Sequence, residues 1–179
     1  MAQEREGFED DRPLATEAEA KALASAVRLR ILRLCLDQAL TNKEIALRIG
    51  ANPATVLHHV RKLVDTGFLA PQEERIGARG AREIPYLATR KSWALRLDEE
   101  FWSDMSTAMM DAFNTEVAQL SDPAKVNIAR LGLRLDKAQY AEAQQRFQGV
   151  FQEILTWEPG PEAEPYSLFL AIHPDIDRN

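Results

Sequence analysis

A helix stop followed at once by a helix start constrains this chain more than any other feature. Thr41-Asn42-Lys43-Glu44 has the spacing of a capping box, in which a threonine hydroxyl and a glutamate three residues on satisfy the backbone donors that open a helix. The segment after it carries Ile45, Ala46 and Ile49 at inward spacing and stops at Gly50, where a left-handed backbone costs little. Asn52 then stands as an N-cap and Pro53 at the first helical position, so a second helix begins immediately, reads to Thr66 and stops at Gly67. Two helices joined by a tight turn are the expectation.

The second helix is two-sided. Val56, Val60 and Leu63 face inward, with Val64 at the margin, while Ala54, Thr55, Leu57, His58, Arg61, Lys62 and Asp65 face outward. Upstream, Thr16-Glu17-Ala18-Glu19 is another capping box and opens a short helix to about Ala24, and Ser25 can cap the next. In that next helix Val27, Ile31, Leu34 and Cys35 share one face and Leu29, Leu32 and Leu36 a second, which makes it central. Arg28, Arg30 and Arg33 take the remaining exposed strip. Downstream, Phe68-Leu69-Ala70 begins a strand and residues 83–88 return as a second, with Pro85 marking an edge strand. Residues 75–82 hold two glycines and three arginines and read as a mobile basic loop.

From Leu97 the character changes. Asp98 caps a long helix, 98–120, with Phe101, Met105, Met109, Phe113, Val117 and Leu120 in a stripe that Trp102 and Met110 widen. A strand is expected over 126–135, a helix over 137–157 and a last strand over 166–173. The fold class is mainly α with a small β wing. An acidic disordered terminus (1–13) is expected to precede the helix-turn-helix domain (14–92), with a dimerisation and possible effector region expected over 97–179.

The net charge of −6 is unevenly spread. Residues 41–91 carry nine basic and five acidic side chains, whereas 92–179 carry seven and fifteen. A basic island between acidic flanks is the electrostatic footprint of a local nucleic-acid surface. The single cysteine, Cys35, reads as a small buried apolar group, and His58 and His59 diverge on a helix, so neither a metal nor a cofactor is expected. The sequence has no glycine-rich phosphate loop and no nucleophile elbow, so no enzyme is expected. The acidic start lacks the apolar core of a signal peptide, no run is long and apolar enough to span a bilayer, and a cytoplasmic location is expected.

The stretch Thr41-Asn42-Lys43-Glu44-Ile45-Ala46, then Ala54-Thr55-Val56-Leu57-His58-His59-Val60-Arg61-Lys62-Leu63 with Gly67-Phe68-Leu69, resembles ArsR-type winged helix-turn-helix transcriptional regulators. The resemblance covers residues from about 14 to 90. It implies a homodimeric regulator, expected to be a repressor, reading a palindromic operator in double-stranded DNA. By position it makes Thr55, Leu57, His58, Arg61 and Lys62 groove-facing and sets His59 at the core edge. Thr41, Lys43 and Asn52 join them as contacts, Asn52 and the free donors of its helix start holding a phosphate. Arg75, Arg79 and Arg82 on the wing are expected to reach phosphates or the minor groove. Metal-sensing members use a cysteine pair on the recognition helix, which this chain lacks, so a metal sensor is not expected. Phe101, Trp102, Met105, Met109, Met110 and Phe113 keep two readings open: a dimer seam, or a pocket for a small apolar effector that releases the operator. Competing readings are a winged helix used as a protein-interaction scaffold and a ligand-binding module that does not touch DNA.

Overall fold

A computed structural model describes residues 12–77, 80–122 and 125–178. The chain divides into two compact units, one running Asp10–Pro123 and the other containing the C-terminal residues from Ala124.

The first unit is built from capped helices. Helix α1 is Glu17–Leu23, opened by a reciprocal capping box between Thr16 and Glu19. Helix α2 is Ala26–Leu34; Ser25 occupies its N-cap position, but the hydroxyl makes no capping bond. Strand β1 (Leu40–Thr41) runs directly into helix α3 (Asn42–Ile49), where Thr41 and Glu44 form the second capping box and Gly50 ends the helix at φ 68°. Helix α4 is Pro53–Asp65, with the Asn52 side chain accepting from the Ala54 N–H. Strands β2 (Leu69–Pro71), β3 (Arg75–Ile76), β4 (Arg82–Glu83) and β5 (Pro85–Ala88) follow. A single 3-10 turn at Lys91–Trp93 leads to helix α5 (Glu99–Ala118), capped by Asp98.

The core is one cluster under α4. Ile31, Ile45, Val56, Val60 and Leu63 are each 0% exposed, and Phe68, Leu69 and Leu40 complete it. Cys35 lies among them, its thiol pushed up to about 12 by burial, which makes it an inert packing group. The three-stranded sheet has the order β1-β5-β2, all antiparallel, with Leu40 opposite Tyr86 and Leu69 opposite Ala88. This corrects the edge-strand reading of Pro85: β5 is the central strand. Proline is tolerated there because it is the first residue of the strand, where a missing donor breaks no interior rung. β3 and β4 pair as a separate two-stranded ribbon, Arg75 opposite Glu83 and Ile76 opposite Arg82. Residues on both sides of the expected loop are therefore laddered, and Arg75 and Arg82 stand on strands.

Helix α5 belongs with this unit. Ala108 and Ala112 are buried, and such small side chains let α5 close on α1 and α2, with Met105 packed against the core. A clasp at the start of the unit supports this: the Ala15 N–H donates to Arg96 O (2.8 Å) and the Arg96 N–H to Pro13 O (3.1 Å). A third tie is polar. Lys91 Nζ pairs with the Glu19 carboxylate and donates to Thr66 O at 2.9 Å, joining α1 to the end of α4. The Lys91 hydrogen bond, with the Thr16 backbone N–H and hydroxyl, holds Glu19 down to about 2. A carboxylate with a depressed folded pKa contributes stability that is fully present above its unfolded value and is lost as pH falls. We expect Glu19→Gln to cost about 1–3 kcal/mol at pH 7 and to remove part of the stability loss between about pH 4.5 and pH 2, measured by denaturant midpoints across pH. An unchanged acid profile would contradict this linkage.

In the C-terminal unit, helix α6 (Lys137–Leu155) opens with a capping box between Asp136 and Gln139. The expected strands at 126–135 and 166–173 do not form: both segments lack ladder bonds. Period-two alternation marks which side chains share a face, but a strand also needs a partner to satisfy its backbone, and these two segments do not pair. None of the described residues in 125–178 is buried, and Leu131 and Tyr166 are more than three-quarters exposed. No helix among the described residues is long and apolar enough to cross a membrane.

Candidate nucleic-acid interface

Helices α3 and α4 are fixed to one another at their openings. The Asn42 side-chain amide donates to Pro53 O at 2.8 Å, so the first residue of α3 holds the first residue of α4. The Ala51 N–H donates to Ala46 O at 3.0 Å and closes the turn. The burial of Val56, Val60 and Leu63 then sets the rotation of α4 and leaves Ala54, Thr55, His58 and Arg61 exposed, with Leu57 and Lys62 half-buried at the margins. The two histidines differ. His58 is exposed and His59 is partly covered, their rings 5.8 Å apart edge-to-face. Burial, then the Arg28 and His58 charges, lowers the His59 pKa, and its Nδ1 has no partner among the described residues, which fits a neutral ring at the core edge.

The basic side chains of the island divide sharply. Lys43 pairs with Glu83 at 2.9 Å, Arg75 with Glu44 at 2.6 Å, Arg82 with Glu74 at 3.6 Å, Arg90 with Asp37 at 3.1 Å and Lys91 with Glu19. Arg61 and Lys62 form no ion pair with any described residue. Of the island's described cations, Arg61 and Lys62 on the outer side of α4 and Arg48 on α3, which bonds to Gln38, have no counter-charge among the described residues.

Two of these pairs clasp the β3–β4 ribbon to α3. Arg75 Nη2 donates to both Glu44 carboxylate oxygens (2.6 and 2.7 Å), and Lys43 Nζ donates to Glu83. Backbone and side-chain bonds from Thr41, with Arg75 beside it, keep the Glu44 carboxyl below its usual range. Gly77 makes room for the second clasp, since a Cβ there would lie 2.6 Å from Glu83 Cδ. These partners were not legible in the sequence, because Glu44 reads only as a cap and Glu83 only as a strand residue. Thr41 differs from its expected role as a contact: it is 3% exposed and its hydroxyl serves the cap. Asn52 is exposed with its Oδ1 taken by Ala54 N–H, and Arg79 lies outside the described residues.

Residues 23–72 match a family model described as a helix-turn-helix domain. Within those residues α3 and α4, joined by a tight turn, are arranged as a helix-turn-helix. With the antiparallel sheet and ribbon that follow α4, the architecture is a winged helix-turn-helix. Among solved structures, the chain is similar to reduced HlyU from Vibrio cholerae (20% identity over 52% of this chain and 80% of that one, TM-score 0.35). It is also similar to the adhesin competence repressor from Streptococcus pyogenes (20%, 73% and 81%, TM-score 0.31) and to a possible transcriptional regulator from Methanosarcina mazei (14%, 59% and 88%, TM-score 0.36). No curated protein matches the chain.

The six α5 residues with two open readings fall on different sides. Phe101, Met105 and Phe113 are half-buried, while Trp102, Met109 and Met110 are exposed. A cavity of about 350 Å³ in this unit is lined by polar groups including Thr16, Asp65 and Lys91, and none of the six reaches it.

Proposed function

We propose that this chain is a sequence-specific DNA-binding transcriptional regulator of the ArsR-resembling winged-helix type, acting as a homodimer. The observation that carries the reading is the outer side of α4, where exposed Arg61 and half-buried Lys62 have no counter-charge among the described residues and stand with Thr55 and His58 on a helix held by Val56, Val60 and Leu63. A helix with a buried apolar side and a small polar or cationic outer side suits the major groove, where arginine and lysine read guanine edges. The start of α4, with exposed Asn52, offers backbone donors to a phosphate. Lys43, Arg75 and Arg82 add backbone contacts. Their present ion pairs are exposed, and such pairs contribute only about 0–1 kcal/mol, so a DNA phosphate competes for them readily.

The dimer reading rests on α5. Trp102, Met109 and Met110 are exposed on a helix already seated on its own core through Ala108 and Ala112. Two copies joined there would present two α4 helices to half-sites about 10 bp apart. Repression is the regulatory sense implied by the resemblance. Selection of bound duplexes from a random pool tests this: we expect enrichment of an inverted repeat with half-sites spaced by about one or two helical turns. A pool that stays random after several rounds would overturn sequence reading by α4, and an enriched single half-site would overturn the dimer.

A further inference from the structure

Three guanidinium groups converge on one cavity away from the outer side of α4. Arg30 and Arg33 stand one turn apart on α2, and Arg48 comes from the last turn of α3. With Leu34, Glu116 and Gln119 they line a cavity of about 230 Å³. Arg30 Nη2 donates to Gln119 Oε1 at 2.9 Å, Arg33 Nε lies 3.4 Å from the Glu116 carboxylate, and Arg48 Nη2 donates to Gln38 Oε1 at 3.1 Å. A guanidinium carries five N–H donors in a fixed fork, and each of these three has one polar partner among the described residues, which leaves donors to spare. Three positive charges meet one negative, Glu116. Like charges gathered in this way repel one another, and a bound anion would relieve that repulsion.

We propose that this cavity is a binding site for a small organic anion bearing a carboxylate or phosphate group. Arginine forks match the paired oxygens of both groups, and bidentate contacts of this kind are the strong ones. Leu34, packed against the core, supplies a short apolar wall for the carbon skeleton. The volume sets the size: pockets for drug-sized ligands run to about 300–1,000 Å³, so this one takes a compact ion. Glu116 opposes the ligand and limits its affinity. The site stands independently of the reading of α4, since it is a property of the protein without DNA.

Calorimetric titration of the full chain with inorganic phosphate and with succinate, at low chloride, tests the site. The expected result is saturable binding of at least one of the two, with one ion per chain. Arg30→Gln with Arg33→Gln should weaken it at least tenfold, and Glu116→Gln should tighten it severalfold, a gain that misfolding does not produce. Arg61→Gln should leave it unchanged. Absence of saturable binding by both anions, equal binding by the Arg30/Arg33 variant, or weakened binding by Glu116→Gln would overturn the proposal. So would a loss of duplex affinity in the Arg30/Arg33 variant when the wild-type protein takes up neither anion, since the arginines would then be contacts to DNA phosphates.

Discussion

Replacing Arg61 and Lys62 together by alanine is expected to lower affinity for the cognate duplex at least about 30-fold, because each base-edge contact of this kind contributes about 1–3 kcal/mol. The same change should barely move the melting temperature. Arg61 is exposed, Lys62 half-buried, and neither is ion-paired with a described residue. Substitutions at such positions fall within about 0.5 kcal/mol. The one structural duty of Lys62 belongs to its backbone: its carbonyl accepts from the Thr66 N–H and hydroxyl, which alanine preserves. Duplex affinity by anisotropy and melting by circular dichroism separate the two effects. Unchanged affinity would remove α4 from the groove, and a collapse in melting temperature would show that these cations serve the fold.

The second large effect is on stability. Phe68→Ala is expected to cost about 3–5 kcal/mol, the range for emptying an aromatic core position. Phe68 is 1% exposed and follows Gly67, whose left-handed backbone (φ 73°) turns the chain from α4 into the sheet. Its N–H donates to Leu63 O at 2.8 Å, its carbonyl accepts from the Thr89 N–H at 3.0 Å, and the Lys91 ammonium lies 5.5 Å from its ring centroid. The residue thus pins α4, β2 and the 3-10 turn at one point. Total stabilities of about 5–15 kcal/mol leave little margin for such a loss. The melting temperature should fall by about 10 °C or more. Leu47→Ala is the control: Leu47 is 84% exposed on α3 and should be close to neutral. Similar losses in the two variants would place the core elsewhere.

Local signals in the sequence carried most of the winged helix. Thr16, Thr41, Asn52, Asp98 and Asp136 all stand at helix N-caps, and Gly50 ends α3, because capping is satisfied by atoms within three or four residues of the signal. The inner side of α4 followed from its periodicity alone. What escaped was set by residues distant in sequence. Strand β1 is two residues long and exists only because β5 returns to it from more than forty residues away. The ribbon clasps Arg75–Glu44 and Lys43–Glu83 join side chains whose own neighbours suggest other roles. The seating of the long helix escaped for a related reason: its large residues drew notice, yet the buried Ala108 and Ala112 decide how it packs on its own unit. In residues 126–135 and 166–173 alternation was real, but no partner strand was there to complete the ladder.

The most direct measurement is the salt dependence of duplex binding by the full chain, with and without Arg61→Gln and Lys62→Gln. For a protein that neutralises DNA phosphates and releases counterions, affinity falls linearly on logarithmic axes as salt rises. With several phosphate contacts from each protomer, the wild-type chain should bind duplex at about 50 mM salt and lose at least tenfold by about 200 mM, and the double variant should bind more weakly throughout. Absence of duplex binding at the lower salt, or an affinity that neither salt nor the double substitution changes, would contradict a DNA-reading role for α4.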